Sequence, residues 1–211
     1  MIRASDVAVI LLAAGLSHRF GPSKLSVPFR GKPLALHAAE MLDEIAFARR
    51  ICVWSRNTGS VADAISALGY QMVEQNAPEL GLGASIALGM GSVISPEPQA
   101  IMVVLADMPM VSRNHIATML NALRDRDDLV ASSDGRTVMP PALFGRRFFE
   151  MLASLTGDRG PRHLLINARR IEAAPGELID IDVREDIANV RASRRTPRRG
   201  AYRRAPSPSS H

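Results

Sequence analysis

Residues 6–14 (DVAVILLAA) form an almost unbroken aliphatic run. Without polar alternation, the run predicts a central parallel strand covered on both faces. The segment that follows, GLSHRFGPSK, is rich in Gly, Pro and Ser and reads as a loop. Apolar positions at helical spacing predict helices over residues 34–48 and 60–68, with a strand at 51–55 (ICVWS) between them. A short strand is expected at 71–73. A helix over 83–94 (GASIALGMGSVI) follows, its small residues allowing close packing. Residues 100–106 (AIMVVLA) are a further buried strand, and Ser112 is placed to cap a helix running to about residue 124. A strand at 129–132, a Pro-rich turn at Met139-Pro140-Pro141 and helices near 146–155 and 161–167 come next. Short strands at 170–173 and 178–182 and a last helix over 184–191 close the pattern. Strands alternating with helices predict an α/β fold. Its expected form is a three-layer, doubly wound, Rossmann-like sheet, mostly parallel, with helices on both faces.

Composition refines this picture. Aromatic residues make up only 4%, so the core must be built from Ala, Val, Ile, Leu and Met. The 211 residues suit one domain, assigned to 1–190, followed by a tail at 191–211. That tail carries seven of the 26 Lys and Arg and no acid, which leaves the body with 19 basic against 21 acidic residues. The net charge of +5 therefore describes the tail, and a nucleic-acid-binding face is not indicated. The tail's composition predicts disorder; an electrostatic arm for an acidic partner is the sharper reading. No stretch of 18 apolar residues exists to span a membrane. A signal peptide, with Arg3 as its basic end, competes with the first strand for residues 7–14, and the strand is the better reading. Cys52 stands alone in an apolar run. It predicts buried packing, no internal disulfide and a reducing, cytoplasmic location.

The chemistry concentrates at three places. The first is the strand-to-loop passage from Leu12 through Ala13, Ala14 and Gly15 to Lys24. A loop leaving the carboxyl edge of a parallel sheet is where open α/β folds bind ligands. Gly15 and Gly21 let backbone N–H groups approach an anion, while Arg19 and Lys24 supply cations for phosphates. Neither the G-x-G-x-x-G fingerprint nor a Gly-Lys-Ser/Thr phosphate loop is present, since Ser17 and Ser23 break them. The second place is Asp107, at the end of the strand over 100–106, suited to a magnesium ion that arrives with a nucleotide or, more blandly, to capping a turn before Pro109. The third is the acidic Asp180-Ile181-Asp182 segment, either a second metal ligand or a solvated strand edge. Glycines at Gly81 and Gly83, with Ser85 beyond, open a helix that offers a further anion or base contact. Gln75 and Asn76 are able to read a base edge.

These letters resemble the molybdenum cofactor cytidylyltransferases, within the MobA-like group of NTP transferases. The loop matches LAAGxSxRxGxxK, and Ala106-Asp107-Met108-Pro109 matches the group's AD(M/Q)P motif. Residues 79–85 resemble G(L/M)G(A/S)S, residues 140–144 PPALF, residues 157–162 GDRGAR, and residues 180–187 DIDTPEDL. The resemblance runs from Val9 to about Val190. It implies the nucleotide-diphospho-sugar transferase fold and transfer of CMP from CTP to Mo-molybdopterin. It also implies Mg2+ (or Mn2+) on Asp107 and Asp182, with Asp180 as the fallback. Arg19, Lys24 and Asp107 are implied as catalytic. Leu12, Ala13, Ala14, Gly15, Lys24, Asn76, Gly83, Ser85 and Asp107 are implied at the nucleotide, and Pro141, Asp158, Arg159 and Arg162 at the second substrate. Related guanylyltransferases carry Gly where Ala14 stands, which favours cytosine. Implied partners are small molecules and, transiently, a molybdenum hydroxylase or its chaperone, with the protein a monomer or weak dimer. Another small-molecule nucleotidyltransferase of this fold, or a non-catalytic accessory protein for such hydroxylases, is the alternative.

Overall fold

A computed structural model describes residues 2–16, 24–93, 98–157 and 160–181. The strand β1 (Val7–Ala13) is buried at every position. A hairpin of β2 (Pro28–Phe29) and β3 (Lys32–Pro33) precedes helix α1 (Leu34–Asp43). Then come β4 (Arg49–Trp54), α2 (Val61–Ala67), β5 (Gln71–Glu74), α3 (Gly81–Gly91), β6 (Ala100–Leu105) and α4 (Arg113–Ala122). The chain continues through β7 (Leu129–Ser133), β8 (Val138–Gly145), α5 (Phe149–Ala153), α6 (Arg162–Leu165) and β9 (Arg169–Glu172). Seven strands form one sheet in the order β5-β4-β1-β6-β8-β7-β9, with β8 antiparallel to both neighbours and the other pairings parallel. This is the doubly wound α/β architecture with helices on both faces.

Side-chain alternation along β1 divides the core in two. Val7, Val9 and Leu11 face the layer that contains α1, α2 and α4, against Ala38, Leu42, Ile65, Ile116 and Met119. Ala8, Ile10 and Leu12 face α3, α5 and α6, against Ile86, Met90, Leu152 and Leu165. Each aliphatic side chain so buried contributes roughly 1.5–3 kcal/mol. The second face is tight because α3 is built from small residues. A Cβ on Gly89 would lie 2.9 Å from Ile10 Cγ2 and 3.1 Å from Val53 Cγ2, so the helix rests directly on β1 and β4. Ser112 caps α4 as expected, accepting from the His115 N–H at 3.1 Å.

Two local expectations are corrected. Met139-Pro140-Pro141 is not a turn but part of β8. The pairing of β7 with β8 shifts register between Ala131 and Ser132, and both prolines fall in that irregularity. Partnering with β6 begins only at Ala142. Prolines are tolerated there because the ladder asks for no N–H from them. Likewise, residues 178–181 form no strand; they run as a turn and an irregular segment along the sheet's carboxyl edge. The hairpin of β2 and β3 was not expected from the pattern. Its tip is made by Arg30 and Gly31, both at positive φ. Arg19, Asp158, Arg159, Asp182, the end of the helix at 83–94, the helix over 184–191 and the tail lie outside the described residues.

Candidate active site

The parallel strands β5, β4, β1 and β6 end along one edge, and the site assembles there. Lys24 opens a short 3-10 turn, Lys24–Ser26, and is buried to 6% exposure. Its Nζ donates to Asp107 Oδ2 at 2.8 Å and lies 3.5 Å from Asp180 Oδ1. Three residues far apart in sequence thus converge on one point. A lysine ammonium removed from water needs opposite charge beside it, which the two carboxylates supply. Asp107 and Asp180 stay partly open, at 24% and 43% side-chain exposure, so the pair faces the solvent side of the lysine.

Each carboxylate is placed by its own device. Asp107 stands just past the end of β6, where Ala106 N–H donates to Leu12 O at 3.0 Å and locks the two strand ends together. Asp180 is delivered by its neighbour. The Ile181 N–H donates to Asp107 O at 3.2 Å, and the Ile181 side chain is fully buried with Phe29 and Leu34. The hairpin that the sequence pattern did not announce is therefore half of the socket that holds the second carboxylate in place.

At the exit of β1, Leu12, Ala13 and Ala14 are buried and Gly15 is exposed. Thr58 Oγ1 donates to Ala13 O at 2.7 Å and Ser55 Oγ donates to Ala14 O at 3.2 Å. Sequence reasoning missed both hydroxyls. Their signal was available in Ser55-Arg56-Asn57-Thr58, a hydroxyl pair at turn spacing just after a strand that runs beside β1. The same turn lines a cleft of about 400 Å³ with Ser55, Arg56, Asn57, Glu74, Gln75 and Asn76. Asn76 is exposed at its wall. Gln75 is buried and its Oε1 accepts from the Ala77 N–H at 3.2 Å.

The start of α3 plays a different part from the one its glycines suggested. The Gly83 N–H donates to Gly157 O at 2.8 Å, and a Cβ at Gly83 would lie 2.8 Å from Thr156 O. Gly160 packs against Leu82 with similar closeness. Ser85 is buried, its Oγ donating to Gly81 O at 3.3 Å. Gly83 thus joins α3 to Thr156 and Gly157, while the Ser85 hydroxyl is engaged within the helix itself. Arg162 is exposed at the first position of α6. Pro141 is buried within β8, and its carbonyl accepts from Ser132 Oγ at 2.8 Å.

Nucleophilic chemistry finds no support among the described residues. His115 Nε2 is 2.8 Å from Ser132 Oγ, but both are buried. Ser132 Oγ is also 2.8 Å from Pro141 O, which can only accept; with its proton on that carbonyl the hydroxyl takes an N–H from the imidazole, the reverse of an activated hydroxyl. Burial also pushes the His115 pKa down, partly offset by Glu177. Burial raises the Cys52 thiol to about 12, which makes it inert. No helix among the described residues is long and apolar enough to cross a membrane.

Comparison with known proteins identifies the family and the fold. A family model described as MobA-like NTP transferase domain matches residues 9–172. The purine catabolism protein PucB of Bacillus subtilis (strain 168) is 31% identical over 206 residues, covering 90% of this chain and 98% of that protein. A nucleotidyl transferase from Methanothermobacter thermautotroptrophicus superposes with a TM-score of 0.75 at 20% identity, over 89% of this chain and 96% of that one. Rv0371c of Mycobacterium tuberculosis, solved in complex with manganese, gives a TM-score of 0.68 at 22% identity, over 89% and 98%. With its family match spanning most of its length, the chain belongs to the MobA-like NTP transferase domain family and is a nucleotidyltransferase of that type.

Proposed function

We propose that the protein moves CMP from CTP to the terminal phosphate of Mo-molybdopterin, giving the cytosine dinucleotide and pyrophosphate. The observation that carries this reading is the Lys24 ammonium held between Asp107 and Asp180 at the exit of β1. Two carboxylates that converge on one positive charge form the hard-oxygen donor set that Mg2+ or Mn2+ accepts, completed by phosphate oxygens and water. Asp107 and Asp180 would hold the ion; Asp182 is the neighbouring acid implied by the resemblance. A bound divalent ion would neutralise charge developing on the α-phosphate and the departing pyrophosphate.

The protein's own residues do the rest by position and charge. The acceptor phosphate oxygen forms a bond to the α-phosphorus, and the bond from that phosphorus to the bridging oxygen of pyrophosphate breaks. Lys24, and Arg19 as implied by the loop motif, would stabilise the oxyanions in this exchange. No proton needs to be taken from a phosphate oxygen that is already ionised, so a catalytic histidine is unnecessary. Thr156 and Gly157, fastened to α3, and Arg162 would flank the acceptor. Ala14, where related guanylyltransferases carry Gly, favours cytosine. The manganese complex of a structural neighbour supports divalent-metal use. A cytoplasmic location and transient delivery to a molybdenum hydroxylase or its chaperone belong to the same proposal.

The test mixes the protein with Mg2+, Mo-molybdopterin and each of the four NTPs and measures pyrophosphate. Release with CTP above the other three is expected; release with GTP alone would overturn the cytosine assignment. One observation favours a second reading. The relative from Bacillus subtilis is named for purine catabolism. An accessory role for a hydroxylase acting on such heterocycles would suit that name. Hydroxylase activation that proceeds equally with CTP omitted would favour it.

A further inference from the structure

Thr58 lies outside every motif noted in the sequence, yet it joins the parts of the site. The residue is fully buried. Its hydroxyl donates to Ala13 O at 2.7 Å and accepts from the Ser55 N–H at 3.0 Å. Its own N–H donates to Ser55 O at 2.8 Å, closing the turn. Its carbonyl accepts from Ser26 Oγ at 3.1 Å, and Ser26 belongs to the same 3-10 turn as Lys24. The turn's other hydroxyl, on Ser55, donates to Ala14 O at 3.2 Å. One buried residue is thus tied to both chain segments that flank residues 17–23: the exit of β1 on one side and the lysine turn on the other.

The consequence follows from the geometry of the peptide unit. In a trans peptide the C=O of one residue and the N–H of the next point in opposite directions in one plane. Fixing Ala13 O on Thr58 therefore fixes the Ala14 N–H, and fixing Ala14 O on Ser55 fixes the Gly15 N–H. Both N–H groups are turned away from the residue 55–58 turn and held there. Backbone donors that are already oriented cost no ordering when an anion arrives. The link to Ser26 sets the distance from these donors to Lys24.

We infer that Thr58 is a positioning residue for the nucleotide, acting through the backbone of Ala13, Ala14 and Gly15 and through the turn of Lys24. This rests on the nucleotidyltransferase reading of the same site. Thr58→Val keeps the shape and removes the hydroxyl; Thr58→Ser restores it. Equilibrium binding of each Mg-NTP to the full-length protein is measured first, then KM and kcat for pyrophosphate release. Thr58→Val is expected to weaken binding of the preferred NTP about tenfold or more, because misoriented donors must be reordered at a cost of about one decade per 1.4 kcal/mol. The matching effect should be in KM, with kcat within about threefold, and Thr58→Ser should return both toward wild type. A merely structural role would instead lower the active fraction, and so kcat, at unchanged KM. If Thr58→Val does not fold, Ser55→Ala removes the Ala14 bond, and wild-type NTP affinity in that variant would overturn the inference. Unaltered affinity in a folded Thr58→Val would also overturn it. A wild-type protein that binds none of the four NTPs would sink the nucleotide reading itself, a different and separable result.

Discussion

The Ile181 N–H donates to the carbonyl oxygen of Asp107 at 3.2 Å, stitching a late segment of the chain to the end of the central strand β6. This bond, with the burial of the Ile181 side chain beside Phe29 and Leu34, is what keeps Asp180 within reach of Lys24. Ile181→Ala should cost about 2–4 kcal/mol of stability, the range for an emptied aliphatic site. It should also raise the Mg2+ concentration needed for half-maximal activity, as Asp180 loses its anchor. Thermal unfolding and a Mg2+ titration of turnover check the two effects. An unchanged Mg2+ requirement would show that Ile181 does not set the carboxylate.

Lys24 and Asp107 can be separated by charge. Asp107→Asn is nearly isosteric and should leave the fold intact while most turnover disappears. For Lys24→Ala the loss of charge stabilisation at the transition state should lower kcat on the order of 100-fold. Circular dichroism with single-turnover rates tests both. Wild-type-like activity of Asp107→Asn in Mg2+ would remove this residue from the metal site.

Gly83 should tolerate no side chain. A Cβ there would meet two backbone oxygens, Thr156 O at 2.8 Å and Gly157 O at 2.9 Å. Backbone yields less readily than a flexible side chain, so Gly83→Ala should cost about 1–3 kcal/mol and shift Thr156 and Gly157. The acceptor's KM should rise more than that of the NTP. Gly91, at the end of the same helix, has open space around it. Gly91→Ala should be neutral or stabilising by up to about 1 kcal/mol, which makes it the control.

Acid should weaken the protein in a defined window. Burial lowers the His115 pKa, so the folded state resists its protonation. The unfolded chain takes the proton first as pH falls below about 6.5. Stability from this group is therefore complete above that value and is lost on acidification, until the folded pKa is passed. The slope is at most about 1.4 kcal/mol per pH unit. His115→Gln should flatten the fall in Tm below pH 6.5 without abolishing it, because His37 is shifted in the same direction by burial. A Tm profile identical to wild type would refute the assignment.

Much of this molecule could be read from the order of its residues. An uninterrupted apolar run such as residues 7–13 reads as a strand covered on both faces, and it is one. Helices packed on either side explain the rest of the periodicity. Asp107 was legible because it stands just past a buried strand, and Lys24 because it closes the segment that leaves β1; such segments gather at one sheet edge. What the sequence could not decide was contact between distant segments. Whether Asp180 stands beside Lys24 depends on a hairpin socket for Ile181 and one backbone bond to Asp107. Whether Pro140 and Pro141 end a strand or ride within it depends on a register shift opposite them. The turn at Ser55 and Thr58 had a signal in the sequence, but its target did not, because the Thr58 hydroxyl donates to the Ala13 backbone carbonyl, a group every residue has. Only folding chooses which carbonyl a buried hydroxyl will meet.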